Sequence, residues 1–352
     1  MKFIWLFLMP IALYGLYVVF VLIFGTLNDY QPEELIKIEV INNQELIASD
    51  SSQFNLMIWN IGYSGLGAKS DFFLDGGSMV RTDKLLSQAY LDGIKSTISA
   101  QKNLDFILLQ EVDIKAKRSY KVNQFESIAE DLGTYSRSHA LNFNVKFVPK
   151  PLTSLSPIGQ VQSGLASYSR YKVTQANRYQ FPGSYDWPTS AFHLDRCFLE
   201  SRIPLESGKE LVLINSHNSA YDGGKLKPLE MAYLKEHLLL EYDKGNYVLV
   251  GADWNQCPPN FAYDSFASEN ADDYYQDNIP EDFMPLGWNW VYDANTPSNR
   301  KLSASYEEGK TFTTLIDFYL VSPNIQVIAV EGLDLSFKYS DHQPVKLTIQ
   351  LR

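Results

Sequence analysis

The sequence predicts an α/β domain carried behind one N-terminal membrane helix. Three observations lead there. Strand-like apolar runs alternate with helix-length amphipathic runs over most of the chain. No repeat, low-complexity tract or Ser/Gly-rich linker divides them, so residues 29–352 read as one domain. Ahead of it, residues 3–28 carry no charge at all. At 352 residues, 45% hydrophobic and 20% charged, the chain has enough apolar surface for a large core and is neither disordered nor a small cross-linked scaffold. Its formal charge of −11, from 30 Lys and Arg against 41 Asp and Glu, lacks the basic footprint of a protein that coats nucleic acid. Cys197 and Cys257 are too few for a disulfide framework or a four-thiolate zinc site. Buried thiols are expected, with a single bridge as the alternative.

In chain order, residues 3–25, FIWLFLMPIALYGLYVVFVLIFG, would extend ~35 Å as a helix, enough for a hydrocarbon layer of ~30 Å. The segment 1–28 is therefore expected to be a membrane anchor. Lys2 precedes it and Asp29, Glu33 and Glu34 follow, so the positive-inside bias puts the N-terminus inside and the domain outside the cytoplasm. A cleaved signal peptide is the competing reading, but its apolar run is shorter and ends in small residues, whereas Ile23-Phe24-Gly25 offers one. Strands are expected at 54–61, 105–109, 164–169, 196–203, 211–216, 247–251, 315–321 and 344–351, where β-branched and aromatic residues gather. Helices are expected at 81–100, 125–132 and 228–242. In the last, Leu229, Tyr233, Leu234, Leu238 and Leu239 form one stripe, and Pro228 suits a first turn. The acidic, aromatic stretch 269–293 contains Pro280 and Pro285 and reads as a long surface excursion. Tyr185, Trp187, Trp288 and Trp290 are expected in core packing, with stacking on a substrate as the alternative.

The informative pattern lies where strands end. IWN reaches Asn60, ILLQE reaches Glu111, LINSH reaches His217, and VLVGADWN reaches Asp253 and Asn255. TLID reaches Asp317, and Ser340-Asp341-His342 precedes the last strand. Any one of these is an ordinary turn former or a structural histidine. Six together would gather four acids, two amides and two imidazoles at one sheet edge. Such a hard-oxygen set suits Mg²⁺ or Mn²⁺ better than zinc. His139, His193 and His237 receive no role. The glycine pairs in residues 71–77 and 220–225 suit rim loops or plain turns.

The ordered motifs NLMIWNIG, ILLQEVD, SGLASYSRY, LVLINSHNSA, VLVGADWNQ, TLIDFYLVS and YSDHQPV resemble the endonuclease/exonuclease/phosphatase superfamily, from about Phe54 to the end. The resemblance implies a four-layer α/β sandwich, two mixed sheets face to face with helices outside, and hydrolysis of a phosphoester. Glu111, with Asn60 and Asp341, would hold the Mg²⁺ or Mn²⁺ ion. His342, oriented by Asp317, would activate water or stabilise charge, with Asp253 as the alternative base. Asn255 would serve the phosphoryl oxygen, and His217 would contact the phosphate or protonate the leaving group. Arg196 and Asn218 fall on the substrate side, a surface ion pair being the plainer reading of Arg196. Two departures bear on the substrate: Gly251-Ala252-Asp253-Trp254-Asn255 replaces the usual Gly-Asp-Phe-Asn, and Asn218 follows His217 where many members have Leu. The expected partners are a phosphoester (nucleic acid, phospholipid or soluble ester) and, through the helix, a membrane; the sequence implies no protein partner. A sphingomyelinase-like phospholipid phosphodiesterase is a narrower reading. A non-catalytic binding module on the same fold is the reading of another class, and the intact set of site residues argues against it.

Overall fold

The computed structural model describes residues 2–101, 103–152, 154–220, 223–266 and 275–352, with side chains from Leu8 onward. Helix α1 (Lys2–Leu27) is followed by strands β1 (Leu35–Ile38) and β2 (Gln53–Asn60). Helix α2 (Lys84–Ala100) leads to β3 (Phe106–Asp113), and α3 (Gln124–Leu132) leads to β4 (Ser136–Val148), β5 (Gly159–Ser169) and β6 (Gln175–Gln180). Strands β7 (Cys197–Pro204) and β8 (Glu210–His217) precede α4 (Lys227–Asp243) and β9 (Tyr247–Asp253). The rest comprises β10 (Asn289–Val291), β11 (Asn299–Arg300), β12 (Thr313–Thr314), β13 (Asp317–Val321), β14 (Ile325–Gly332) and β15 (Val345–Leu351).

These strands build a seven-stranded sheet, β1-β6-β7-β8-β9-β13-β10, and a six-stranded sheet, β14-β15-β2-β3-β5-β4, with β11 and β12 as a separate ribbon. Each large sheet holds one parallel pair, β2 with β3 and β8 with β9; every other pairing is antiparallel. Parallel neighbours need a crossover, and α2 and α4 supply the two. Alternation along β2 sends Leu56 and Ile58 into a core with Leu108, Leu213, Leu249 and Tyr319 between the sheets. Met57 and Trp59 face the other way, onto Leu91, Ile94 and Ile98 of α2 and Phe125 and Ile128 of α3. On the far side, Val212, Ile214, Val248 and Val250 pack on Met231, Leu234 and Leu238 of α4. Each such fully buried aliphatic side chain is worth ~1.5–3 kcal/mol, which makes these three interfaces the glue of a four-layer sandwich.

Element boundaries shift for local reasons. Helix α2 starts at Lys84 rather than 81 because the Asp83 side chain caps it, accepting from the backbone N–H groups of Leu85 and Leu86. The stretch expected as a surface excursion runs from 275 to 288 without helix or named strand, mostly exposed or half-buried and pinned by buried Ile279 and Met284, and ends in β10, which pairs with β13 at the edge of the sheet. Residues 269–274 lie outside the described residues, as do Tyr221 and Asp222 of the second glycine-pair loop. Both cysteines are free and buried. Trp288 and Trp290 pack against the α4 core. Trp187 departs from expectation: it is 62% exposed and donates from Nε1 to Thr26 Oγ1 of α1 at 3.0 Å.

Candidate active site

Both crossover units end on the same cleft. In the six-stranded sheet, Asn60 closes β2 and faces Gln110 across the ladder, with Glu111 next in β3. In the seven-stranded sheet, His217, Asp253 and Asp317 stand side by side at one level, His217 paired with Asp253 and Asp253 with Asp317. The turn before β15 brings Asp341 and His342 between the two sheets. Trp59 Nε1 donates to the His342 carbonyl (2.9 Å), and Ser340 Oγ donates to the Asn60 carbonyl (2.8 Å). Beneath them, Gln110 Nε2 donates to Asn215 Oδ1 at 2.7 Å, and Asn215 Nδ2 donates to the carbonyls of Leu109 and Ala166, all in full burial. This amide clamp ties one sheet to the other directly under the site.

Backbone strain marks the same place. Glu111 has φ +55° inside a strand, at a register shift between Leu109 and Val112, and Asn255 has φ +49°. Left-handed backbone at non-glycine residues costs of order 1–3 kcal/mol and persists where surroundings enforce it. Gly62 (φ +48°) is needed for a further reason: a Cβ there would lie 2.7 Å from Asp341 Oδ1 and 3.0 Å from Ser340 Oγ.

Asn60 accepts from the Gly62 N–H with Oδ1 (3.0 Å) and donates from Nδ2 to Asp253 Oδ2 (2.9 Å) and Glu111 Oε1 (3.3 Å). Its amide thus aims two carboxylates, where the sequence reading made it a ligand beside Glu111. His342 Nδ1 lies 2.8 Å from Asp317 Oδ2, which also accepts from Ser298 Oγ at 2.7 Å. At its other nitrogen, Nε2, the ring meets the Asn299 amide at 3.0 Å and Asp253 Oδ2 at 3.7 Å. Burial disfavours charge on this ring, yet Asp317, Asp253 and Asp341 overcome it and hold the His342 pKa well above the usual value. His217 behaves oppositely: burial and then Arg196 push it down to about 3, so it stays neutral, with Nε2 3.3 Å from Asp253 Oδ2 and Nδ1 buried without a hydrogen-bond partner among the described residues. Asp253 also accepts from the Asn255 N–H at 3.0 Å. The Asn255 side chain is held by the Asn218 carbonyl at 2.9 Å. Asn218 differs from expectation: its own amide turns inward, toward Ser216 Oγ and Met231 Sδ, so it serves the site through its backbone.

Of these, Glu111, His217, Asp253, Asn255, Asn299, Asp341 and His342 line a cavity of about 230 Å³, while Asn60, Asn218, Ser298 and Asp317 stand behind that lining. Of the three guanidinium groups there, Arg118 is spent on Asp113 (2.9 Å) and stacks over Tyr63, and Arg300 is spent on the carbonyls of Leu66, Gly67 and Ser70. Arg196 has no carboxylate partner among the described residues, and its Nη1 is buried without a hydrogen bond. A buried donor left so costs ~1–3 kcal/mol, a cost that a bound anion removes. The carboxylates opposite present the complementary need. Burial first, and then neighbouring Glu111, push Asp341 up to about 7 against the pull of His342. No arginine or lysine among the described residues is bonded to Glu111 or Asp341. Two hard-oxygen donors in that state fit a divalent cation. Ser298, Asn299 and the Gln110–Asn215 clamp were not singled out from sequence, and His193, given no role there, lines the cavity. The only signal for any of them was the polar interruption of the strands ending at Glu111 and His217.

Residues 57–342 match the Endonuclease/Exonuclease/phosphatase family. The chain belongs to this family. Membership makes it a hydrolase of phosphate esters in a class that depends on divalent metal ions. Among solved structures, an endonuclease/exonuclease/phosphatase from Beutenbergia cavernae DSM 12333 is similar at 17% identity and TM-score 0.58, covering 85% of this chain and 72% of that one. The human Nocturnin catalytic domain with bound sulfate is similar at 15% identity and TM-score 0.53, over 89% of this chain and 99% of that one. D. rerio TDP2 complexed with single strand DNA product is similar at 14% identity and TM-score 0.52, over 85% and 99%. No curated protein matches the chain by sequence.

Proposed function

We propose that the protein is a membrane-tethered phosphodiesterase whose domain faces away from the cytoplasm. The observation that carries the phosphodiester reading is Arg196, a guanidinium without an acid partner among the described residues, inside a cleft whose other wall is carboxylate. Glu111, aimed by Asn60, and Asp341 would hold Mg²⁺ or Mn²⁺, and the ion when bound would offset charge on the phosphoryl oxygens. Arg196 and Asn255 bind the non-bridging oxygens, and neutral His217 adds a contact. In its neutral form, which the raised pKa places on the alkaline side, His342 takes the proton of the attacking water, and the resulting imidazolium is stabilised by Asp317 at 2.8 Å. The water oxygen bonds to phosphorus as the ester P–O bond breaks. The departing alkoxide is then protonated, which returns the ring to its neutral form.

Tethering rests on α1, a 26-residue helix long and apolar enough to cross a bilayer, and on Lys2 as its first residue with Asp29, Glu33 and Glu34 after it. The test is turnover by the full chain of bis-p-nitrophenyl phosphate, p-nitrophenyl phosphate, plasmid DNA and sphingomyelin, each with Mg²⁺, with Mn²⁺ and with chelator. Hydrolysis of a diester that chelator abolishes is the expected result. Full activity in excess chelator, or hydrolysis of the monoester alone, overturns the reading.

A further inference from the structure

The last turns of α1 do not stand clear of the domain. Tyr17, Val18, Val21, Leu22 and Gly25 share one helical face, Val21 is 5% exposed, and Gly25 is so close to Phe192 that a Cβ would lie 2.3 Å from the ring. Between this face and the domain runs a second cavity of about 230 Å³, lined from the domain by Leu152, Pro188 and Thr189. It shares Lys150, Phe192 and His193 with the catalytic cavity, so the two adjoin across a common wall. Part of the catalytic cavity's lining is itself apolar: Phe143, Val148 and Ile158 form one cluster with Phe192 and Leu194 packed against it. The catalytic cavity thus carries Glu111, Asp253, Asp341, Arg196 and Lys150 together with an apolar lining that meets the anchor helix at Phe192.

We propose that the substrate is a membrane lipid phosphodiester, bound with its phosphate between Arg196 and the carboxylate pole and an acyl chain in the groove between α1 and Phe192. The proposal rests on the phosphodiesterase and tether readings above and deepens them. A soluble ester would leave this apolar groove unused and wet, and a nucleic acid has no hydrocarbon to fill it. The surroundings fit a domain pressed to the bilayer. Val21 and Gly25 lie within the apolar part of α1, so whatever packs on them sits at or below headgroup level. Trp187, bonded to Thr26, has the interfacial character of an indole with one wet edge, and Leu152 and Leu155 are exposed on the adjoining loop.

The test uses the full chain in vesicles, with long-chain phosphatidylcholine, phosphatidylglycerol or sphingomyelin as substrate, and bis-p-nitrophenyl phosphate as the tail-less diester. Val18→Trp and Leu22→Trp fill the groove from the helix side without touching the ionic end. The expected result is that at least one long-chain lipid is hydrolysed and that the variants lower its rate by about tenfold or more while the tail-less rate stays within about twofold. Cleavage of the tail-less diester with no lipid cleaved, or lipid rates unchanged in both variants, overturns the lipid proposal and leaves the phosphodiesterase reading standing. Failure on every diester with either metal overturns that reading itself. Should the variants lose both activities together, the wild type decides: a lipid carrying a diazirine on its acyl chain is irradiated in chelator. Adducts in residues 17–25 facing Phe192, or at 188–193, support the groove, and adducts confined to the free face of α1 overturn it.

Discussion

Replacing Asp317 by Asn removes one charge and almost no volume, and the hydrogen bonds around it set the size of the effect. Oδ2 accepts from both His342 Nδ1 (2.8 Å) and Ser298 Oγ (2.7 Å), while Oδ1 is buried without a partner. An asparagine has two poor choices there. With its oxygen toward His342 it leaves an NH₂ group orphaned in the Oδ1 position. With its NH₂ toward His342 it confronts two donors and drives the ring proton to Nε2, the nitrogen that must stay free to accept a proton from water. The lost charge-assisted bond is worth ~1.5–3 kcal/mol, and two opposite charges ~4 Å apart at an effective dielectric of ~20 interact by about 4 kcal/mol. A loss of about 10²- to 10³-fold in kcat is therefore expected, close to that of His342→Ala. The assay compares kcat for bis-p-nitrophenyl phosphate among wild type and both variants, alongside the melting temperature. An Asp317→Asn enzyme that stays folded and keeps kcat within about threefold of wild type refutes the dyad.

Arg196→Ala should cost about 10- to 100-fold in kcat/KM on a diester with little change in melting temperature, because no carboxylate is stranded when the guanidinium leaves; unfolding of the variant would show that Arg196 is structural. On the outer face of the seven-stranded sheet, burial opposes charge on Glu241, yet Arg202, Lys244 and Asn246 hold its pKa down to about 2. A depressed acid stabilises the fold above its unfolded pKa of about 4.5 and loses that contribution as pH falls toward 2. The melting-temperature gap between wild type and Glu241→Gln should therefore be full at pH 7 and shrink below about pH 4.5, and a gap that does not change with pH would contradict the assignment. The full chain should stay in the membrane fraction through a high-salt wash and be digested by protease added outside intact spheroplasts; protection until lysis would reverse the orientation.

Much of the site was legible because its residues terminate strands whose interiors are unmistakably apolar: Glu111 after FILLQ and His217 after ELVLINS stand out as breaks in a run. The four-layer architecture followed from ordered motifs rather than from periodicity. Strands β4 and β14 were missed for a physical reason. Both are edges of the six-stranded sheet: β14 is exposed at Gln326 and Ile328 and shows no buried face, while β4 does alternate but places Ser136, Ser138 and Asn142 at buried positions, so its period is not apolar. Ser298 and Asn299 were invisible because Ser and Asn between Pro297 and Arg300 look like any turn, and only the fold carries them to Asp317 and His342. The direction of the Asn218 amide was likewise beyond the sequence, since adjacent residues at a strand end point to opposite faces.

The cleft is a seam between two sheets that exchange their terminal strands, β1 into one and β14 and β15 into the other, each sheet holding part of what the chemistry needs. Asn60 and His342, 3.5 Å apart, are 282 positions apart in sequence, and Trp59 grips the His342 carbonyl across 283. Contacts of such separation form late, after a long loop has been closed. Catalytic competence should therefore be the last property to emerge during folding: on refolding, helical and sheet signals should recover before hydrolysis does. A chain threaded unfolded through a membrane would cross it chemically silent, and would gain the power to cut phosphate esters only once both sheets had closed on the far side.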